Sequence, residues 1–127
     1  LIMKKLLLIM GLLCFSVLSF SEPLTGSFET KIHLVEGNIS VDPSQGEVII
    51  SNFTYDGQGS NVYIILSKGG NLKKIEVISK ELKKAYKDEE LVLKVNNISK
   101  LLDKGYDTIS VYTKKYKSSF GDAKLSE

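Results

Sequence analysis

The sequence predicts an all-β domain: an antiparallel sandwich or barrel-like fold of about seven to nine short strands with one or two short helical turns. Three observations predict it. Apolar residues recur at every second position in short runs rich in valine and isoleucine, which suit a pleated, half-buried surface. Clusters of Gly, Pro, Asn, Asp and Ser separate these runs and supply turns. Helical periodicity is weak outside two short stretches.

Residues 1–21 read as an export signal. Lys4 and Lys5 form a positive start, and the apolar run Leu6 to Phe20 is shorter than the roughly 20 residues a membrane-spanning helix needs. Ser19 and Ser21 are the small residues a signal peptidase reads. The expected cut follows Ser21, with Ser19 as second choice, giving a secreted or periplasmic protein with no membrane span after cleavage. A lipid anchor on Cys14 is not expected, because Leu13 stands where such a site takes a small residue. Residues 22–127 then suffice for one domain with its own core and are too few for two.

Removing Lys4 and Lys5 from the 17 basic residues leaves 15, against 15 acidic ones. The mature chain is therefore formally neutral, and every basic residue is lysine. Without arginine or excess positive charge it lacks the long-range field and forked donor of nucleic-acid recognition, so no nucleic-acid partner is expected. Cys14 is the single cysteine and leaves with the signal. No disulfide can then staple the domain, which must stand on packing.

Along the mature chain, Phe28, Thr30, Ile32 and Leu34 are expected on one strand face, with Glu29, Lys31 and His33 on the other. Ile39 and Val41 alternate with polar neighbours. Further strands follow at Val48–Ile50, Val62-Ile64-Leu66, Ile75-Val77, Leu91-Leu93-Val95 and Ile109-Val111. The turns between them include Glu36-Gly37-Asn38, Asp42-Pro43-Ser44-Gln45-Gly46 and Lys68-Gly69-Gly70-Asn71. Ser79–Lys87 fits either one helical turn, with Ser79 as its cap, or a long loop. Asn97–Leu102 predicts a short capped helical turn that tucks Leu101 or Leu102 inward before Gly105 ends it.

Candidate chemistry is sparse. His33 is the only histidine. A metal site normally takes three or four ligands, so His33 alone predicts a surface or hydrogen-bonding residue rather than a centre. The loop Asp56-Gly57-Gln58-Gly59-Ser60-Asn61 has oxygen ligands at alternate positions but no closing glutamate, and predicts a turn rather than a calcium loop. No serine lies in a nucleophile elbow, so no hydrolase is predicted. Three sequons, at Asn38, Asn52 and Asn97, matter only in a host that glycosylates exported proteins. Tyr112 and Tyr116, with Tyr106 nearby, offer an aromatic patch for a partner.

Taken in order, the anchors form a family pattern. Gly26 and Phe28 are followed by His33 and Gly37, then Asn52-Phe53, then Val62-Tyr63-Ile64-Ile65-Leu66-Ser67. Tyr106, Thr108-Ile109, Val111-Tyr112-Thr113, Tyr116, Phe120-Gly121, Ala123 and Leu125 close the set. Across roughly residues 24–125 the chain resembles the DM-thirteen domain family, which accompanies DOMON and cytochrome-like modules. The resemblance implies a compact all-β domain with an electron-transfer role resting on a cysteine in the penultimate strand, after an aromatic residue.

Here Tyr112 stands at the aromatic position, where tryptophan is more usual, and Thr113 at the cysteine position. Threonine supplies no thiolate for exchange or metal ligation. By strand parity Thr113 faces inward with Ile109 and Val111, where its hydroxyl needs a partner. The expected function is therefore a non-enzymatic binding module at the cell envelope, with a protein partner and no cofactor. Its expected contact surface is Tyr112, Lys114 and Tyr116. The alternative is electron transfer through a bound haem or copper with His33 as a ligand.

Overall fold

The computed structural model describes residues 23–127. The expected signal, its cut after Ser21, and Cys14 lie outside the described residues. Nine strands and one short helix follow in order: β1 (Leu24–Ser27), β2 (Glu29–Thr30), β3 (Val35–Asp42), β4 (Glu47–Tyr55), β5 (Val62–Lys68), β6 (Asn71–Val77), β7 (Tyr86–Lys94), α1 (Ile98–Asp103), β8 (Thr108–Thr113) and β9 (Ser118–Lys124).

They form two antiparallel sheets, one ordered β1-β3-β4-β7 and the other β2-β9-β8-β5-β6. The all-β sandwich expected from the alternation is what the chain builds. Ile39, Val41, Val48, Ile50 and Phe53 from the first sheet meet Val62, Ile64, Leu66, Ile109 and Val111 from the second in one core. Ile64 and Val111 are register partners and are wholly buried. The helical turn expected near Asn97 is α1, which inserts Ile98 and Leu101 into the core; Gly105 follows it at positive φ, as a chain leaving a helix often requires.

The first expected strand is corrected. Phe28 is buried, but Ile32 and Leu34 are exposed, and the alternation stops after Thr30. The backbone N–H groups of Lys31 and Ile32 both donate to the Phe120 carbonyl, at 2.7 and 3.1 Å. Two successive amides aimed at one acceptor bend the chain. Side chains beyond the bend no longer alternate with Phe28, and the next inward residue is Val35.

Ser79–Lys87 resolves as a loop that runs into β7 at Tyr86. Ser79 caps no helix: its hydroxyl accepts the Ile64 N–H at 2.8 Å and donates to the Lys80 carbonyl. The Leu82 N–H donates to the Val62 carbonyl, so the loop is tied to β5 beyond the end of β6.

On the outer face of the second sheet, the buried Ser110 hydroxyl donates to Asp122 Oδ1 at 2.6 Å, and the Ser119 hydroxyl donates to the same oxygen. Lys31 Nζ lies 3.3 Å from Oδ2. Burial alone would raise the Asp122 pKa. The two hydroxyls and the ammonium favour the ionised form more strongly and hold it below the ordinary carboxylate value. A depressed folded-state pKa stabilises the fold above the unfolded carboxylate value, and that contribution fades as pH falls through the folded value. Below about pH 4 the urea midpoint of the protein should therefore fall with acid, and Asp122→Asn should flatten that acid limb while lowering stability at neutral pH.

Candidate functional site

Two concavities compete. One, of about 700 Å³, opens between the sheets at the β6 and β7 edges and is lined by Ile78, Leu82, Tyr86, Leu91 and Leu93, with Lys80 and Lys94 among its polar neighbours. Of the candidate chemistry read from sequence, it holds the Asn97 sequon and neither His33, Thr113 nor the tyrosine patch. The other, of about 340 Å³, sits at one end of the sandwich and gathers His33 and Tyr116.

Three connections build this end cleft. The bend after β2 brings Ile32 and His33. The β4–β5 connection, which carries the chain from one sheet to the other, brings Gln58, Gly59 and Ser60. The β8–β9 turn and the start of β9 bring Tyr116, Ser118 and Phe120.

Phe120 supports the cleft. Its ring stacks on Tyr55 from the opposite sheet, with centroids 6.2 Å apart, and meets the His33 imidazole edge-on at 4.4 Å. Gly59 lies against the same ring: a Cβ there would fall 2.7 Å from Phe120 Cζ and 2.6 Å from Val62 Cγ2. The Gly59 N–H donates to the Tyr55 hydroxyl oxygen at 2.9 Å. Burial raises the Tyr55 pKa despite that bond, so the ring stays a neutral phenol at physiological pH.

His33 Nδ1 lies 3.2 Å from Asp56 Oδ2. The other Asp56 oxygen accepts the Gln58 N–H at 2.9 Å, a local side-chain turn of the kind that suits aspartate to loops. Asp56, read from sequence only as part of a turn, is thus the residue that orients the histidine. Donation from Nδ1–H fixes the tautomer in which Nε2 is the basic nitrogen.

Thr113 is wholly buried, as strand parity requires, and the hydroxyl donates to the Ser60 carbonyl at 2.6 Å. Next to it, the Lys114 N–H donates to the Asn61 carbonyl at 2.9 Å. These two bonds tie the end of β8 to the loop that forms one wall of the cleft.

The expected contact surface is corrected at one residue. Tyr116 and Lys114 are exposed, but Tyr112 is only 4% exposed. It stands opposite Tyr63 and Ser119 on the outer sheet face, beside a groove of about 780 Å³ shared with Leu72, Ile75 and Lys117. Adjacent strand residues point to opposite faces, yet here both faces near Tyr112 are covered. Phe120 and Gly59 had no signal as parts of a binding site: a buried aromatic and a loop glycine look the same in any core.

Among the described residues, no group of three or more His, Cys, Asp or Glu is placed to hold a metal ion. His33 would supply one ligand and not a closed centre. No helix among the described residues is long and apolar enough to cross a membrane.

The fold defines the class: an all-β sandwich of two antiparallel sheets, with Thr113 tied to the loops at one end. The profile of the family described as "Electron transfer DM13" matches residues 27–125, and the chain belongs to that family. No curated protein and no solved structure matches it.

Replacing Phe120 by alanine removes the ring shared by core and cleft and should cost about 3–5 kcal/mol in chemical denaturation. Gly59→Ala should also destabilise, by roughly 1–3 kcal/mol, because the added carbon meets that ring. Phe120→Leu, which keeps most of the volume, should cost less than either alanine change.

Proposed function

We propose that this chain is an exported, non-enzymatic binding domain of the cell envelope that has kept the family fold without thiol redox chemistry, and that it contacts a protein partner through the end cleft. One observation carries the reading: Thr113, which the resemblance places at the family's cysteine position, uses its hydroxyl as a structural donor to the Ser60 carbonyl. Residues 23–127 contain no cysteine, so no thiolate is available from the described domain. The exposed part of the cleft is instead suited to contact, since Ile32 and Tyr116 are 62% and 68% exposed at its rim.

Export is supported by the sequence of residues 1–21 and is tested by the N-terminus of the protein recovered from culture. A mature chain beginning at Glu22 is the expected result; full-length chain retained in the cytoplasm removes the envelope from the proposal.

A second reading rests on the His33–Asp56 pair. A histidine whose Nδ1–H is held by a carboxylate is oriented as metal-ligating histidines are, with Nε2 directed elsewhere. His33 would then supply one ligand to a haem or copper, and the group would supply the electron-transfer chemistry when bound.

The visible absorbance of the purified protein separates the two. The binding reading expects no band, before or after addition of haem or cupric ion, and no change on His33→Ala. A band that depends on His33 would overturn it in favour of electron transfer. Tyr116→Ala should reduce partner capture at least about fivefold without altering the unfolding free energy by more than about 0.5 kcal/mol.

A further inference from the structure

We infer that the partner of the end cleft is an acidic protein segment carrying one bulky apolar side chain, which enters between Ile32 and Tyr116 while its carboxylates meet Lys114, Lys115 and Lys117. The inference rests on the binding reading above and names the chemistry of its partner.

The charge at this end is the first support. The β8–β9 turn reads Lys114-Lys115-Tyr116-Lys117, and all four residues are exposed. The ion pairs among the described residues engage none of these three lysines. Lys114 Nζ lies 4.4 Å above the Tyr63 ring and Lys115 Nζ 5.3 Å above the Tyr116 ring. Ring faces attract an ammonium without neutralising it, so its positive charge remains directed outward. Of the nearby carboxylates, Asp122 is paired with Lys31, and Asp56 is held by hydrogen bonds to His33 and the Gln58 N–H. In a mature chain of 15 basic and 15 acidic residues, this turn is a local excess of positive charge.

The apolar anchors are the second support. Ile32 and Tyr116 are the two most exposed of the large hydrophobic residues, and they line the same cleft. Two such side chains side by side are costly in water and gain by being covered. Tyrosine beside cationic residues is also the composition of protein contact centres.

Concavity decides between a protein and a bilayer. A membrane surface receives apolar groups that protrude from the protein. Here Gly59 has no side chain, Phe120 forms the base, and the space of about 340 Å³ lies between the exposed residues rather than beyond them. Such a shape receives an inserted side chain.

The test uses fluorescence anisotropy with the purified protein and a dye-labelled peptide of alternating aspartate and glutamate around one central phenylalanine. Binding at 50 mM salt should weaken about tenfold at 300 mM, since exposed charges are screened. The triple change Lys114→Glu, Lys115→Glu, Lys117→Glu should weaken it by at least about tenfold. Ser60→Trp, which fills the cleft, should do the same, as should replacing the peptide's phenylalanine by serine. Circular dichroism confirms that the variants are folded.

Peptide binding that ignores both salt and the lysine changes overturns the acidic assignment, as does absence of peptide binding. Attachment to phosphatidylglycerol vesicles without peptide binding overturns it in favour of a membrane surface. In each case, crosslinking of a photoreactive group placed at Tyr116 to an envelope protein decides separately whether the binding reading stands.

Discussion

The ring of Phe120 is the point on which the sandwich and its cleft both depend. It belongs to β9 in one sheet, stacks on Tyr55 of β4 in the other, and carries His33 on its edge. Its backbone carbonyl accepts two amides from the bend at Lys31 and Ile32. One residue thereby holds the sheets together, ends the second strand and turns Ile32 outward. With no disulfide to close the domain, such shared contacts are where its stability must reside. The steric demand on Gly59 follows from the same ring.

Thr113 extends this argument from fold to function. The resemblance read from sequence implies a reactive cysteine there, yet the position is wholly buried on a central strand between β5 and β9. A thiolate needs an environment that stabilises charge, whereas this interior favours a neutral group with one hydrogen-bond partner. Threonine meets that requirement: its hydroxyl reaches the Ser60 carbonyl, and its branched carbon suits the strand. In this chain the position supplies no redox atom and instead ties β8 to the cleft wall. Membership in an electron-transfer family and a binding role for this chain are compatible on that account.

Much of the fold was legible because burial imposes a period of two wherever a strand has one face on the core. Ile64 and Val111 were assignable to the interior from the apolar alternation of their strands, although β8 proves buried at all six positions because its outer face is covered as well. The run from Phe28 to Leu34 misled because its apparent alternation is interrupted by hydrogen bonds to a residue nearly ninety positions away in the chain. Ser79 misled for a related reason, since its partner is an amide on another strand. The candidate site was legible only in parts. His33 and Tyr116 stood out by residue type, but Asp56, Gly59 and Phe120 acquire their roles only when three distant connections converge.

The remaining surfaces bear on why recognition would be directed to that end. On one side, the sandwich is closed where β1 lies near β9 and Thr25 bridges to Ser126. On the other, the β6 and β7 edges are open, and an open edge invites pairing with any extended chain. Both edges are guarded. Lys73, Lys74 and Glu76 line β6; Lys87, Glu89, Glu90 and Lys94 line β7, where Asp88 at positive φ also breaks the regular ladder. Charges and a bulge make unselective strand addition unfavourable there. The loop end differs: its β8–β9 turn carries Lys114, Lys115 and Lys117 beside the exposed Tyr116, so contact directed there, as proposed, would not compete with pairing along the guarded edges.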